Sequence, residues 1–488
     1  MLQLIPTPVA ETTPPLEGIA PLCVDLDGTL VKSDTLVDSL LVMLRMRPTA
    51  IFKLPSRLLQ GKAAFKAFVT DSVSLDVAHL PYNSTLLQFL RSEKARGRVL
   101  YLATGADERL ARRVAAHLGI FKDVLGSDGT INLTGARKLE FLQIRLNSAA
   151  FGYIGNDTPD LPLLAHSVEP MVANPSFGLR MGMRTRGLHA VRAFNEGRHP
   201  LQALLKAVRL HQWAKNLLIF IPLFLSHSLS VSKLLMALAA FCCFSLTASS
   251  AYIVNDLLDI EADRRHPRKR LRPFASGDLS AFAGIGIALI FLLLALAGGR
   301  LLAGGFYGWL LLYLATTLTY SWYLKKIALV DVIVLSGLYI LRLLAGSAAT
   351  STPISHWLAG FSMFLFLSLA IVKRFAELEN LRASNSSARN GRGYLLADLD
   401  QLRSFGTASA YAAAVVLAIY ISGVDVMKLY HQPRLLWLIV PLMILWLNRI
   451  WLLASRGELD EDPVAFALTD RMSQLIGVTV VVIAMLAL

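Results

Sequence analysis

The chain has 488 residues, of which 55% are hydrophobic and 17% are charged, and its formal net charge is +14. The arrangement of these charges excludes a nucleic-acid-binding protein, because the aromatic residues form no stacking pattern and the basic residues of the second half lie in short loops between apolar segments. Three cysteines, Cys23, Cys242 and Cys243, form no disulfide framework, and we interpret them as packing residues.

The character of the chain changes near residue 200. Residues 1–17 are rich in proline and are expected to form a disordered leader, without the basic and apolar regions of a signal peptide. Residues 18–200 mix apolar and polar runs like a soluble domain, whereas apolar segments of membrane-spanning length recur over 203–488. The sequence therefore predicts a soluble domain followed by an integral membrane domain.

Short apolar runs alternate with helical segments in the soluble half. The runs are GIAPLCVDLDGT at 18–29, GRVLYLATG at 97–105, FGYIGND at 151–157 and EPMVAN at 169–174. This alternation predicts a doubly wound parallel α/β sheet. Ligands bind at the carboxyl ends of such strands, where Asp25, Asp27, Thr104 and Asp157 are expected to converge.

Four motifs in this half resemble those of the haloacid dehalogenase-type phosphatase superfamily. They are DLDGT at 25–29, Thr104 in LATG, Lys138 in GARKLEFL and GNDTPD at 155–160. The resemblance covers 18–200 and implies a Rossmann-like domain with a small helical cap at about 33–92. Lys122 is a weaker candidate for the third motif, and an inactive relic kept as a scaffold is the alternative interpretation.

The resemblance also implies a role for each motif residue. Asp25 would be the nucleophile, and Asp27 would be the acid and base of phosphoryl transfer. Thr104 and Lys138 would hold the phosphoryl oxygens. Magnesium would be bound by carboxylates, because two anions must be brought together for the reaction. The expected metal ligands of this domain are Asp25, Asp27 and Asp157, with Asp160 in support.

Nine apolar segments follow, and each is interpreted as a transmembrane helix. They lie near 212–229, 233–254, 281–299, 302–322, 329–350, 357–373, 406–424, 435–453 and 473–488. Most of the Lys and Arg residues of this half fall in alternate loops, which the positive-inside rule assigns to the cytoplasm. We therefore predict a multi-pass protein of the inner (plasma) membrane, with a cytoplasmic N-terminal domain and an external C-terminus.

The segment YIVNDLLDIEADRRHPRKRLRP at 252–273 combines carboxylates with cations. Asp256, Asp259 and Asp263 are spaced i, i+3, i+7, which places them on one face of a helix. Six Lys and Arg residues follow at once, including Arg268, Lys269 and Arg272. Mg²⁺ is a hard ion that binds carboxylate and phosphate oxygens, and the Arg and Lys side chains can neutralise the remaining phosphate charge. The segment is therefore predicted to bind a diphosphate through magnesium, the alternative being a solvated basic loop.

Charged residues also fall within or beside the predicted spans, where they indicate function by default. Asp331 and Arg342 are 11 residues apart on one helical face, and a structural ion pair between them is the alternative interpretation. Lys325 and Lys326 precede this helix, with interfacial anchoring as their alternative role. Lys373 and Arg374 end the sixth apolar segment.

The membrane half resembles the UbiA-type prenyltransferase superfamily. NDLLDIEADRRHPRKRLRP matches the first aspartate motif, and YSWYLKKIALVD at 320–331 lies where the second belongs. The second motif departs from the family because it contains Asp331 alone. With RLHQWAKN, LRLLAGSAA and KRFAELE, the pattern is more similar to the decaprenyl-phosphate phosphoribosyltransferase branch. That resemblance implies nine helices around a cavity, a phosphoribosyl diphosphate donor and a polyprenyl phosphate acceptor in the lipid bilayer.

In this branch Asp256, Asp259 and Asp331 would be catalytic, with Mg²⁺ on Asp256, Asp259 and Asp263. The residues expected to bind substrate are Lys215, Asn255, Asp263, Arg268, Lys269, Arg272, Lys325, Lys326, Arg342, Lys373 and Arg374. The fused phosphatase would remove the 5-phosphate of the product. Two alternatives stay open. The first is an aromatic polyprenyltransferase that acts on a molecule such as 4-hydroxybenzoate and is fused to a phosphatase with another role. The second is a membrane scaffold or transporter without catalytic activity. The sequence does not decide whether the protein forms a homo-oligomer.

Overall fold

The structure, a computed structural model, describes residues 20–197, 199–302, 305–383, 392–459 and 463–488. The predicted leader at 1–17 lies outside these residues. The chain forms two compact units. The first runs to Val208 and also contains Tyr252–Ile287, and the second contains Arg209–Ala251 and Ala288–Leu488. The segment with the three aspartates at 256, 259 and 263 therefore belongs to the first unit.

A six-stranded parallel sheet forms the centre of the first unit, in the order β3-β2-β1-β4-β5-β6. The strands are β1 (Leu22–Val24), β2 (Leu100–Asp107), β3 (Asp123–Ser127), β4 (Gly152–Gly155), β5 (Glu169–Ala173) and β6 (Arg192–Phe194). The predicted parallel α/β domain is confirmed. Strands β3 and β6 were not predicted, because both are partly exposed and neither is a continuous apolar run.

Nine α-helices lie among the described residues between 35 and 208 of the first unit. They are α1 (Thr35–Met46), α2 (Leu54–Leu59), α3 (Lys62–Ser72), α4 (Ser84–Ala95), α5 (Glu108–Leu118), α6 (Ala136–Arg145), α7 (Leu161–His166), α8 (Phe177–Thr185) and α9 (Pro200–Val208). One apolar core contains Val24, Leu86 and Leu102, and the other contains Cys23, Leu142 and Leu163. Because Leu86 belongs to α4, that helix packs in the sheet core, whereas α1, α2 and α3 form a separate helical cluster.

The remaining helices belong to the membrane half and the aspartate segment. They are α10 (Ile221–Leu225), α11 (Val231–Leu258), α12 (Ile260–Arg265), α13 (Ala281–Leu301), α14 (Phe306–Trp322), α15 (Val330–Thr350), α16 (His356–Ala383), α17 (Leu399–Ile421), α18 (Val424–Leu429), α19 (Ile439–Ser455), α20 (Pro463–Thr469) and α21 (Arg471–Ala487). Among the described residues, six helical segments are long and apolar enough to cross a membrane. They are Val231–Leu258, Ala281–Leu301, Val330–Thr350, His356–Ala383, Leu396–Ile421 and Pro433–Ser455.

The other three predicted segments form shorter helices. Residues near 212–229 fold into a 3₁₀ helix at Leu210–Phe220, followed by the five residues of α10. Helices α14 and α21 have 17 residues each. A fully spanning helix needs about 20 residues. The chain is thus a multi-pass membrane protein with six candidate spans in the described ranges, and nine crossings stay a prediction.

Candidate active sites

A polar cavity of about 440 Å³ lies at the carboxyl ends of two paired strands, β1 and β4. Asp25 follows β1, and Asn156 and Asp157 follow β4. The cavity is lined by Asp25, Asp27, Gly28, Lys32, Ser33, Asp34, Lys66, Gly105, Thr134, Gly135, Lys138, Asn156, Asp157, Pro159, Asp160 and Ser280. Strand order reverses between β1 and β4, which is where doubly wound sheets bind their ligands.

The backbone after Asp27 turns sharply at Gly28, whose φ is +73°. A side chain at this position would collide with the Asn156 amide, 2.0 Å from the position of a Cβ atom. The turn leads into α1, and the Thr35 N–H donates to Asp27 Oδ1 at 2.8 Å. Glycine is required here for both reasons, and the turn fixes the two aspartates at the cavity.

Lys138 of α6 is buried, and its side chain reaches Asp25. Its Nζ donates to Asp25 Oδ1 at 2.9 Å, to Asp160 Oδ1 at 3.1 Å and to the Tyr153 hydroxyl at 2.8 Å. Burial disfavours the ammonium, but Asp25 and Asp160 outweigh it and raise the pKa of Lys138. Lys138 therefore stays charged, as a group that holds phosphoryl oxygens must.

Asp25 and Asp27 occupy different electrostatic environments. Burial raises the pKa of Asp25 to about 6, against the opposing attraction of Lys138. Burial and the neighbouring Asp34 raise the pKa of Asp27 to about 8. Two carboxyl groups whose pKa values are driven apart can take the separate roles of ionised nucleophile and protonated acid.

The cap contributes a cation that sequence analysis missed. Lys66 of α3 lines the cavity, and its Nζ donates to the Gly105 carbonyl at 2.5 Å and to Asn132 Oδ1 at 2.8 Å. Burial lowers the pKa of Lys66, although Asp27 and Asp34 oppose this shift. Lys66 lies in an amphipathic helix outside the four motifs, so no pattern in the sequence indicated this role.

Two motif residues, Thr104 and Asp160, have partners other than those expected. The Thr104 hydroxyl accepts from the Ala106 N–H at 3.0 Å, and this buried residue is not among those that line the cavity. Asp160 accepts from Lys138, from Tyr153 at 2.7 Å and from the Asn156 N–H at 3.0 Å. Asp160 thereby positions Lys138 and the β4 loop.

The cavity can accommodate a magnesium ion by the chemistry of its donors. Asp25 and Asp157 face it from adjacent strands. Magnesium uses few protein carboxylates and keeps several waters, so two carboxylates and a substrate phosphate suffice. Within the described ranges, no three His, Cys, Asp or Glu side chains converge as a preassembled metal cluster. A metal here would therefore depend on the substrate for part of its coordination.

The aspartate segment is not one continuous helix. Helix α11 ends at Leu258, Asp259 is the N-cap position of α12, and Asp263 lies within α12. Arg272 Nη1 donates to Asp256 Oδ1 at 3.0 Å and to Asp263 Oδ2 at 2.7 Å. The two carboxylates thus converge on one positive charge, the Arg272 guanidinium.

Asp259 has a different set of partners. The Asn255 amide donates to its Oδ2 at 3.3 Å, and Arg45 of α1 forms an ion pair with its Oδ1. The three aspartates therefore divide between two cations, Arg272 for Asp256 and Asp263, and Arg45 for Asp259. Arg268 is exposed beside the short 3₁₀ helix Lys269–Leu271 that contains Lys269.

Arg264, the residue after Asp263, joins the aspartate segment to the start of the cap. Its guanidinium is buried, and it donates to Asp38 Oδ2 at 2.8 Å, to the Ser33 hydroxyl at 3.0 Å and to the Ala275 carbonyl at 3.2 Å. Ser33 in turn donates to Asp38 Oδ2 at 2.6 Å and lines the cavity of Asp25. One buried ionic cluster therefore connects the two motif regions.

This cluster gives a stability prediction with a neighbouring control. Replacing Arg264 with methionine leaves Asp38 buried without its cation, and we expect the first unit to lose about 3–5 kcal/mol. Arg265→Met removes an exposed pair with Asp76 and is expected to cost about 0–1 kcal/mol. Thermal unfolding of the purified full chain, followed by fluorescence, measures the difference. Equal melting temperatures for the two variants would contradict the role of the cluster.

A second ionic cluster lies in the second unit at the start of α15. Asp331 is fully buried, and its carboxylate is paired with Arg374 of α16 and accepts from the Tyr320 hydroxyl at 2.7 Å. Arg374 also donates to Glu377 at 2.6 Å, and Arg392 lies 3.3 Å from the other oxygen of Glu377. Two guanidinium groups and two carboxylates thus form one network.

Arg342 does not pair with Asp331. Its Nε donates to Asn216 Oδ1 at 2.7 Å, and its Nη2 donates to the Tyr313 hydroxyl at 3.1 Å. Asn216 belongs to the 3₁₀ helix Leu210–Phe220, as does Lys215, and also donates to Ser245 at 2.9 Å. The ion pair with Asp331 that was the alternative interpretation of Arg342 is therefore wrong, because Arg374 reaches Asp331 from the neighbouring helix while Arg342 lies three turns away.

The other predicted cations of the second unit lie before α15 or within α16, and Lys373 and Arg374 do not end the sixth segment because α16 continues to Ala383. Lys325 and Lys326 form the 3₁₀ helix Leu324–Lys326 that precedes α15, and Lys373 lies next to Arg374 in α16. The structure therefore brings Arg374 directly to Asp331. Arg392 and Tyr320 complete the cluster without having been predicted, because their positions depend on contacts between helices.

The family model of the UbiA prenyltransferase family matches residues 217–473. The chain belongs to this family. It is 36% identical over 460 residues to an uncharacterized protein y4nM of Sinorhizobium fredii, covering 94% of this chain and 89% of that one. It is 29% identical over 290 residues to a decaprenyl-phosphate phosphoribosyltransferase of Mycolicibacterium smegmatis, covering 57% of this chain and 89% of that enzyme.

Two solved structures align with separate parts of this UbiA family member. A UbiA homolog of Archaeoglobus fulgidus bound to GPP and Mg²⁺ covers 58% of this chain and 99% of its own, with 16% identity and a TM-score of 0.43. A HAD family hydrolase of Salmonella enterica covers 33% of this chain and 65% of its own, with 20% identity and a TM-score of 0.26.

The Asp331 cluster gives a second stability prediction for this UbiA family protein. Asp331→Ala removes the carboxylate of a fully buried pair, and we expect a loss of about 3–5 kcal/mol, because Arg374 and Arg392 are then left with Glu377 as the one carboxylate of this network. Asp400→Ala is the control, since Asp400 is 95% exposed beside Arg403 and is expected to change stability by less than about 1 kcal/mol. Thermal melts in detergent measure both. A melting temperature for Asp331→Ala equal to that of the control would contradict the prediction.

Proposed function

We propose that the chain is a bifunctional membrane enzyme. Its membrane domain, at about 203–488, transfers 5-phosphoribose from phosphoribosyl diphosphate to a polyprenyl phosphate. Its N-terminal domain, at about 18–200, then removes the 5-phosphate from the lipid-linked product. Similarity to decaprenyl-phosphate phosphoribosyltransferases supports the first step, and the geometry of Asp25, Asp27 and Lys138 supports the second.

The choice of phosphoribosyl diphosphate as the donor rests on the partners of Asp331. A prenyl diphosphate clamp with two metal sites needs a second group of free carboxylates, whereas Asp331 stands alone in this motif and is bound by Arg374 and Tyr320. Its cluster presents guanidinium groups, which suit phosphate. Phosphoribosyl diphosphate has a 5-phosphate in addition to its diphosphate, and the acceptor brings another phosphate. This substrate pair therefore matches a chain with one metal motif and many cations.

The two motifs would have different roles in the transfer step. Asp256, Asp259 and Asp263 would hold magnesium, which would neutralise the diphosphate leaving group. Arg272 lies between two of these carboxylates and can move its positive charge to the diphosphate. The bond from the anomeric carbon to the diphosphate breaks, and a lipid phosphate oxygen forms the new bond. The ionised lipid phosphate needs no strong base, and Asp331 orients the cations that hold the remaining phosphate.

The hydrolytic step follows from the cavity at β1 and β4. A carboxylate oxygen of Asp25 attacks the 5-phosphate, and the bond from phosphorus to the ribose oxygen breaks. Asp27 gives that oxygen a proton and then accepts one from the water that hydrolyses the aspartyl phosphate. Lys138 and Lys66, which both line the cavity, would hold the phosphoryl oxygens. The products are inorganic phosphate and a lipid-linked ribose phosphodiester.

We also propose the topology that this sequence of steps requires. The three shorter apolar segments complete nine crossings, and the N-terminal domain faces the cytoplasm, where phosphoribosyl diphosphate is dissolved. Support comes from the Lys and Arg residues, which concentrate in loops 255–280, 324–328, 374–405 and 454–472. On this topology the tethered phosphatase meets the transferase product at a high effective concentration.

Mass spectrometry of the lipid product tests the proposal. The full chain in nanodiscs is supplied with Mg²⁺, phosphoribosyl diphosphate and a polyprenyl phosphate, and we expect a lipid-linked ribose together with released diphosphate and phosphate. A parallel reaction contains a prenyl diphosphate and 4-hydroxybenzoate. Product in the second reaction alone would identify an aromatic polyprenyltransferase and overturn the proposal. Chelation of divalent ions is expected to stop product formation.

A further inference from the structure

One stretch of the cap has an unusual charge pattern. Between Asp38 and Asp71 the sequence contains no acidic residue, and its six cations are Arg45, Arg47, Lys53, Arg57, Lys62 and Lys66. Residues 45–62, which we call the basic edge, contain five of these cations and connect α1 to α3 through a 3₁₀ helix at Pro48–Lys53 and the short α2. A solvated surface loop would ordinarily mix both signs of charge.

The basic edge also exposes large apolar side chains. Phe52 is 85% exposed and Leu59 is 90% exposed, and Met46 and Leu58 are exposed beside them. Their neighbours Ile51 and Leu54 point inward instead and pack against Val42 and Met43. The edge therefore has an inner face that anchors it to α1 and an outer face that alternates apolar and basic residues.

This combination matches a lipid surface better than water or an acidic protein. Exposed apolar side chains flanked by Lys and Arg are the pattern of segments that lie in the interface of an anionic membrane. A membrane is always adjacent to this chain, because its own spans cross one. We propose that the basic edge seats the cap on the anionic lipid surface, with Phe52 and Leu59 inserted among the acyl chains.

Seating the cap would also affect the cavity of Asp25. Helix α3 follows the basic edge directly and contains Lys66, which lines that cavity. At the other end of the cap, Thr35 of α1 donates to Asp27. The elements that contain Phe52 and Leu59 are therefore joined directly to the two cap helices, α1 and α3, that contact residues of the phosphatase cavity. This part rests on the proposed function, in which the phosphate to be removed is borne by a lipid.

Fluorescence tests the seating without any enzymatic assay. Leu59→Cys is labelled with an environment-sensitive dye in the full chain, in a Cys242→Ser background because Cys242 is an exposed cysteine. In nanodiscs containing anionic lipid we expect quenching by acyl-chain nitroxides, and weaker quenching in zwitterionic nanodiscs. Ile144→Cys, on the exposed side of α6, is the matched control and is expected to stay unquenched. A Leu59 probe that behaves like the Ile144 probe in anionic nanodiscs would overturn the proposal.

A kinetic experiment connects the seating with the phosphatase. The double variant Phe52→Ser, Leu59→Ser is expected to raise the KM for a lipid-borne phosphate monoester by about tenfold or more, because it removes the two apolar side chains that would insert into the lipid. Its kcat/KM for p-nitrophenyl phosphate, which is soluble, is expected to stay unchanged. Ile144→Ser with Val191→Ser is the matched exposed control.

The outcomes separate the two proposals. An equal loss on both substrates would mean that the double variant damages the fold, and the Leu59 probe would then decide the seating by itself. A quenched probe in a protein without phosphatase activity would leave the seating standing and refute the proposed function. Cross-linking of Leu59→Cys to a second copy, with no quenching by lipid, would replace the membrane by a protein interface and overturn the inference.

Discussion

Asp25→Asn is expected to reduce phosphatase activity by about 10³-fold or more, because the amide cannot serve as the nucleophile of phosphoryl transfer. The substitution keeps the size of the side chain and one oxygen that can accept from Lys138, so the fold of the cavity is expected to persist. The transferase step does not use Asp25. The variant should therefore accumulate a lipid that still carries phosphoribose, which mass spectrometry distinguishes from the dephosphorylated product.

Glu140→Gln is the matched control for this experiment. Glu140 lies in the same helix as Lys138, two residues away, and its side chain is exposed outside the cavity. We expect it to have wild-type activity. Identical product phosphorylation in Asp25→Asn and in the wild type would refute the assignment of this domain as the phosphatase, and would favour the interpretation of the domain as an inactive scaffold.

Asp256→Asn is expected to lower the transferase rate by about 10²- to 10³-fold, because it removes one of the carboxylates that would neutralise the leaving group through metal. It also removes one of the two carboxylates that hold Arg272. The measurement is release of diphosphate as a function of Mg²⁺ concentration. We expect the variant to need more Mg²⁺ as well as to turn over more slowly.

Glu261→Gln gives the matched control within the same segment. Glu261 lies between Asp259 and Asp263 in sequence but pairs with Arg265, whose side chain is exposed. The phosphatase activity of both variants toward a soluble phosphate ester should equal that of the wild type. A transferase rate for Asp256→Asn similar to that of Glu261→Gln would contradict the placement of the donor at this motif.

The ionic cluster at Arg264 explains why the aspartate segment belongs to the first compact unit. Arg264 and Asp38 are buried together, and Arg45 pairs with Asp259 from the same helix α1. The segment that the UbiA family uses as its first aspartate motif is therefore held by the cap of the domain proposed to act next. Any rearrangement of α1 must break these pairs, so the two motif regions are expected to move as one body.

Local patterns in the sequence predicted much of the architecture. Apolar runs predicted four of the six strands, and the aspartates at their ends predicted the edge of the sheet where Asp25, Asp27 and Asp157 meet. Both predictions were possible because strand periodicity and the residues that end a strand are local properties of the sequence. Hydropathy located all six candidate spans for the same reason. Strands β3 and β6 could not be predicted, since each is short and only partly buried.

The sequence alone determined which chemical groups are present: a DLDGT loop, a carboxylate triplet and a membrane half rich in cations. Only the tertiary structure decided which of them meet. It paired Arg374 with Asp331 where helical spacing suggested Arg342, placed Lys66 of the cap beside Asp27, and buried Arg264 against Asp38, 226 residues away. Spacing along a helix reports neighbours within one element, whereas a buried charge takes its partner from whichever element packs against it, because leaving it unpaired costs several kcal/mol.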